Sequence, residues 1–238
     1  MSATAVYEKH SFELARPCRF YLAPPEGPRP SPGLIIALHG YGMDAPTMLG
    51  LTARLAGRNR AIVALEAPNA FLLDKDPYNA KTGYNWGTAE TGEFHVSWHH
   101  SAIRETIARV GPSAGATGEN TLLVGFSQPV GLNYRFVSSH PGAVRGVLGI
   151  CGGLPRNWDD GPDESVPSAI LHLGRDQDEY YPQDAALKFE PRLRRRAPDT
   201  EFHMLPGPHR FPGKAGPVVH AWLDRVFGWK CSDLSPEL

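Results

Sequence analysis

The sequence predicts an α/β protein, a mainly parallel, doubly wound sheet flanked by helices on both faces. Three observations predict it. Short runs such as Leu34-Ile35-Ile36-Ala37-Leu38 and Ala61-Ile62-Val63-Ala64-Leu65 are apolar throughout, as strands covered on both faces require. Between such runs lie segments whose apolar residues recur at helical spacing. The two kinds of segment alternate over most of the chain, which is the pattern of parallel strands joined by crossover helices.

Taken in order, residues 10–14 and 18–22 alternate polar and apolar and predict two short strands, an antiparallel start. Residues 24–32 hold five prolines and form only an extended loop. The run at 34–38 is a central strand that ends in the turn His39-Gly40-Tyr41-Gly42. Asp44 caps a helix that carries Met48, Leu51 and Leu55 on one side. Residues 61–65 are the next strand. The segment 66–96 has no sustained period, yet Phe71, Tyr78, Tyr84, Trp86 and Phe94 anchor it. A stretch of that kind is expected to line or cover a site.

From about Ser97, Ile103, Ile107 and Val110 mark a helix that stops at Gly111-Pro112. A strand at 121–124 runs into Gly125-Phe126-Ser127-Gln128-Pro129, and a helix then passes through Leu132 and Phe136 to end near His140-Pro141. Further strands are expected at 144–150, 169–173 and 201–205, with one helix at 184–196 turning Leu187 and Leu193 inward. A closing helix at 217–227 buries Val218, Val219, Trp222, Leu223 and Val226, and 230–238 reads as a frayed tail. No Gly/Ser linker, repeat or compositional break divides the chain, so 1–238 is expected to be one domain.

A formal net charge of −1 gives no electrostatic hold on nucleic acid or an anionic membrane. The one dense basic run, Arg192, Arg194, Arg195 and Arg196, reads as the solvated end of a helix. Cys18, Cys151 and Cys231 are too scattered for a disulfide framework. No apolar stretch reaches the length of a membrane span, and residues 1–10 lack the regions of a secretory signal. A cytoplasmic location without integral membrane association is the expectation. Nothing in the sequence speaks to oligomeric state.

In a parallel sheet, ligands bind beyond the carboxyl ends of the strands. After the strand at 34–38 come His39 to Gly42, and after 121–124 comes Ser127; Asp176 and Asp178 follow 169–173, and His209 follows 201–205. Gly125-Phe126-Ser127 at a strand-to-helix junction is most of a nucleophile elbow, with Pro129 where the full pattern has a second glycine. A serine hydroxyl attacks only when a histidine takes its proton, and a carboxylate fixes that imidazole's tautomer. Serine, aspartate and histidine occur here in the order Ser…Asp…His of one known triad arrangement. The oxyanion of a tetrahedral intermediate needs backbone donors, and the amides of Gln128 and Tyr41 are the natural pair.

His95, His99 and His100 have spacing that suits zinc on a helix, but no Glu follows His95 and no third ligand is evident, so no metal is expected. His39 reads as a brace for the oxyanion turn. His172 and His203 read as strand residues and His220 as structural. Cys151 has no base placed to make it a thiolate. Trp86 and Glu90 are candidates for shaping the substrate pocket, and plain packing accounts for Trp86 equally well.

Leu38-His39-Gly40-Tyr41-Gly42, Gly125-Phe126-Ser127-Gln128, Asp178-Glu179-Tyr180-Tyr181-Pro182 and Pro206-Gly207-Pro208-His209 resemble the phospholipase/carboxylesterase family, which groups with the acyl-protein thioesterases. The resemblance runs from about residue 33 to 228. It implies the α/β-hydrolase fold without a large cap, hydrolysis of a small-molecule ester and no cofactor. It also implies Ser127, Asp178 and His209 as the triad, with Tyr41 and Gln128 as the oxyanion hole. A thioesterase or peptidase on the same scaffold is the nearest alternative. A catalytically weak scaffold that binds ligand is the alternative from another class, favoured by Pro129 alone.

Overall fold

Apolar runs that alternate with amphipathic segments leave the chain one way to bury both, which is to stack helices on the two faces of a common sheet. The structure, a computed structural model, describes residues 10, 12, 16–26, 31–76, 78–88, 92–160 and 165–230. In chain order the elements are β1 (Phe20–Ala23), β2 (Leu34–Leu38), α1 (Ala45–Ala56), β3 (Ala61–Leu65), β4 (Asn69–Leu72), β5 (Thr82–Asn85) and α2 (Gly92–Ala114). There follow β6 (Thr121–Phe126), α3 (Pro129–Ser139), β7 (Gly146–Ile150), β8 (Ala169–Gln177), α4 (Gln183–Ala186), α5 (Phe189–Arg196), β9 (Thr200–Pro208) and α6 (Gly216–Phe227).

Seven strands form a sheet in the order β1-β3-β2-β6-β7-β8-β9. All neighbours run parallel except β1, which is antiparallel to β3. Every residue of β2, β3, β6 and β7 is buried, which explains why those strands show no polar alternation. One face packs against α1 and α6 through Met48, Leu55, Val219 and Trp222. The other packs against α2, α3 and α5 through Ile103, Val110, Phe136 and Leu193. Asp44 caps α1, its carboxylate accepting the Thr47 N–H at 2.8 Å. Among the described residues no helix is long and apolar enough to cross a membrane.

The structure corrects several sequence expectations. Of 10–14 only His10 and Phe12 are described, so the first expected strand lies mostly outside the described residues, as do Glu90 and most of the tail at 230–238. The second strand, β1, starts at Phe20 and finds its antiparallel partner far away in β3. Thr52, not Leu51, completes the buried side of α1. The segment 66–96 is more regular than its pattern: β4 and β5 pair as a hairpin, and α2 already begins at Gly92. Pro112 sits inside the last turn of α2, where it forfeits one helical bond, and the chain leaves through Gly115 at φ 58°.

The single helix expected at 184–196 is two. Pro191 is the third residue of α5; in one continuous helix its ring would meet the Leu187 carbonyl, whereas in a first turn its missing N–H costs nothing. The break leaves Leu187 half exposed. Strands β8 and β9 both outrun their apolar cores. β7 pairs with β8 only as far as Ile150↔Leu173, yet β8 and β9 continue to pair through Arg175↔Leu205 and, past a bulge, Gln177↔Pro208. A two-stranded arm therefore projects beyond the carboxyl end of the sheet.

Candidate active site

Four chain segments meet at that end of the sheet. The first is the sharp turn after β6, where Ser127 has φ 62°, a left-handed conformation that a non-glycine residue adopts at a cost. Its N–H donates to the Ile150 carbonyl at 2.8 Å, and its carbonyl accepts from Val130 N–H at 3.2 Å. The hydroxyl is thereby aimed out of the sheet. Helix α3 then starts with Pro129 at its first position, where a missing N–H costs nothing and φ is already helical.

Gln128 lies in the right-handed helical region, φ −51° and ψ −47°, although a residue before proline ordinarily avoids it. Its side chain is tied at both ends: Oε1 accepts from Trp86 N–H at 2.9 Å, and Nε2 donates to the Gly87 carbonyl at 2.8 Å. These bonds hold the elbow against the segment after β5.

The second segment is the turn after β2. Gly40 is obligatory there, because a Cβ would lie 2.9 Å from the Phe126 ring. His39 braces the turn from below: Nε2 accepts the Ala67 N–H at 3.1 Å, so Nδ1 carries the proton and donates to the Gly40 carbonyl at 2.8 Å. Burial lowers its pKa, which keeps it neutral. Trp86 donates Nε1–H to the His39 carbonyl at 2.7 Å and is fully buried. It supports the turn from beneath and is not among the residues that line the cleft. Among the described residues the amides of Tyr41 and Gln128 donate to no backbone group, while those of Gly42, Met43, Ser127 and Val130 all do.

The third and fourth segments are the tips of the β8–β9 arm. Asp178 is 4% exposed; its Oδ1 accepts the N–H groups of Tyr180 and Tyr181, both at 2.9 Å. Its Oδ2 lies 2.7 Å from His209 Nδ1. His209 Nε2 lies 2.9 Å from Ser127 Oγ. Ser127, His209 and Asp178 thus form one hydrogen-bonded chain. Asp176 is not in it; its carboxylate accepts the Gly207 N–H at 2.6 Å and fastens the arm instead.

Cys151 lies beneath, at φ 49°, its sulfur within 4.8 Å of the Asp178 and His209 donor atoms. These form the one cluster of three possible metal donors among the described residues, and two of the three are already bonded to each other. Burial first, then the Asp178 carboxylate, pushes the Cys151 thiol up to about 12. It is a protonated, inert thiol at neutral pH. Two histidines of α2 face α3: His99 Nε2 pairs with Asn133 Oδ1 at 3.1 Å, and His100 packs on Phe136 and on His140 at the end of α3.

A cleft of about 570 Å³ opens over Ser127 and His209, walled by Tyr41, Met43, Phe126, Gln128, Glu179, Tyr180 and Tyr181. Sequence reasoning assigned no role to Glu179, Tyr180 and Tyr181. Their place between Asp178 and Pro182, at the mouth of a strand, was the available signal.

No family model and no curated protein matches the sequence. Solved structures do match in fold. Esterase PE8 superposes with a TM-score of 0.70 at 19% identity over 88% of this chain and 99% of that one. A carboxylesterase from Mesorhizobium loti gives 0.65 at 20% identity, over 82% and 90%. A phospholipase/carboxylesterase from Dyadobacter fermentans gives 0.60 at 15% identity, over 89% and 96%. At such identities the likeness is one of fold. This chain has the α/β-hydrolase fold, a mostly parallel sheet flanked by helices, with no large cap among the described residues.

Proposed function

We propose that the protein is a serine hydrolase that cleaves small-molecule carboxylic esters through an acyl-enzyme on Ser127, without a cofactor. The observation that carries this reading is the unbroken chain Ser127 Oγ, His209 Nε2, His209 Nδ1, Asp178 Oδ2, with links of 2.9 and 2.7 Å. Asp178 accepts a hydrogen bond from Nδ1–H, which holds the proton on that nitrogen and leaves the Nε2 lone pair facing the serine hydroxyl. That hydroxyl donates its proton to Nε2 as Oγ attacks the ester carbonyl. The carbonyl oxygen gathers negative charge, and the uncommitted amides of Tyr41 and Gln128 are its donors. The imidazolium then protonates the departing alcohol, and a water attacks the acyl-serine by the same proton path in reverse.

Each group is held before substrate arrives. Ser127 is fixed by a strained turn, Gln128 by its two side-chain bonds, and Asp178 by two backbone donors. The names carried by the structures of like fold, esterase and carboxylesterase, support the same class of reaction. The test is labelling by a fluorophosphonate together with turnover of p-nitrophenyl esters of graded acyl length. Ser127→Ala is expected to lose labelling and to lower kcat by on the order of 10⁶. An unlabelled wild type that binds esters without cleaving them would make the fold a binding scaffold here.

A further inference from the structure

The alcohol half of an ester leaves by way of His209 Nε2, so the groups around that ring are the ones it meets. Three aromatic rings surround the imidazole: Tyr180 edge-on with centroids 4.8 Å apart, Phe126 at 5.3 Å and Tyr181 at 6.0 Å. Tyr180 is 70% exposed and, across the cleft, Tyr41 is 60% exposed, so both present ring surface to an incoming group. Of the residues that line the cleft, one carries a carboxylate, Glu179. Glu179 Oε2 accepts the backbone N–H of His209 at 3.2 Å, which holds the carboxylate beside the ring that the departing group meets.

Among the described residues neither lysine nor arginine lines the cleft. Arg175, on the arm, is not among the lining residues and donates Nε–H to the Pro208 carbonyl at 3.2 Å. Aromatic faces attract cations through their quadrupole, and a carboxylate at the rim of the cleft attracts them further at low salt. A neutral alcohol gains neither interaction, and an anionic one is repelled.

We propose that the preferred substrates are esters whose alcohol half carries a compact positive charge, an alkylammonium of about the size of choline, with Tyr180 and Glu179 as the residues that select it. This rests on the serine-hydrolase reading of the same site and names its substrate class. At a rim as open as this one the preference expected is roughly 2- to 5-fold.

The experiment compares kcat/KM for acetylcholine and for 3,3-dimethylbutyl acetate, which has the same shape with carbon in place of the charged nitrogen. The cationic ester is expected to win by that margin, and the margin is expected to shrink as salt is added. In Tyr180→Leu and Glu179→Gln the ratio should fall towards one. Both positions are exposed, so neither variant threatens the fold, and the amide introduced by Glu179→Gln retains an acceptor for the His209 N–H. A wild-type ratio of one or less would overturn the proposal, as would a ratio that survives both substitutions. Should neither ester turn over and Ser127 resist labelling, the hydrolase reading fails on its own account. Calorimetric titration with choline against 3,3-dimethylbutanol then decides the cleft's preference without catalysis, and equal binding of the two would refute it.

Discussion

Two aspartates stand within three residues of each other on the β8–β9 arm, and they do different work. Asp178 reaches His209; Asp176 reaches the backbone of Gly207. On the mechanism proposed, Asp178→Asn should lower kcat by roughly 10⁴, because an amide stabilises the wrong imidazole tautomer. Asp176→Asn, which keeps an acceptor for Gly207, should stay within about tenfold of wild type, and steady-state kinetics on one ester measures both. The distinction was legible in the sequence only through the Asp178-Glu179-Tyr180-Tyr181-Pro182 spacing. His209 was legible from its place after a strand, and His203 sits apart from it beside Glu201. What the sequence hid is how Gln128 is held. Its local preference is against a helical backbone before Pro129, and the two bonds that overrule it come from Trp86 and Gly87, some forty residues away.

At the scale of elements, the apolar strands were readable because burial on both faces removes any ambiguity of period. The hairpin β4–β5 was not. Its strands are only four residues each, and most of their order comes from the turn after β2, where Gly42 N–H donates to Tyr84 O at 2.9 Å and Tyr84 N–H to Met43 O at 3.1 Å. The seating of α3 was hidden for a similar reason. Proline at position 129 leaves no slack on the helix side, and the close approach is supplied from β7 and its loop. A Cβ at Gly149 would fall 2.3 Å from Tyr134 Oη, and one at Gly152 would fall 2.3 Å from Val130 Cβ. Gly149→Ala must therefore push α3 outward and break the 2.7 Å bond between Tyr134 and His172. The expected loss is about 1–3 kcal/mol of stability, read as a lower urea midpoint by circular dichroism, and, on the mechanism proposed, slower turnover, since α3 begins directly behind Ser127.

Across the whole molecule, histidines packed away from water contribute to the response to acid. His99, His100 and His172 are each shifted downward by burial, His100 and His172 to about 4. For a depressed histidine the folded state is neutral where the unfolded chain, near 6.5, already takes a proton. The unfolded state then binds more protons, so stability rises with pH through that interval and is lost as pH falls from about 6.5 towards about 4. Each group adds a slope of up to about 1.4 kcal/mol per pH unit. Urea midpoints measured across that window should fall steadily on acidification, and His172→Asn should flatten the fall; a midpoint indifferent to pH there would contradict the assignment. None of these shifts was visible in the sequence, because burial is a property of the assembled sheet and its two helical layers.

The β8–β9 arm has a consequence for how this protein fails. It hangs beyond the point where β7 stops pairing, and β9 is one of the sheet's two edge strands. Such margins open at a fraction of the free energy needed to unfold a core, and both Asp178 and His209 ride on this one. On the mechanism proposed, activity in rising urea should vanish before the circular dichroism signal moves, with the amides of His203, Met204, Leu205 and Gly207 exchanging hydrogen ahead of those in β2 and β6. Coincident midpoints would mean that the arm is welded to the core. Otherwise the molecule is silenced by fraying at a single margin and revived by its closing, with no need to fold again.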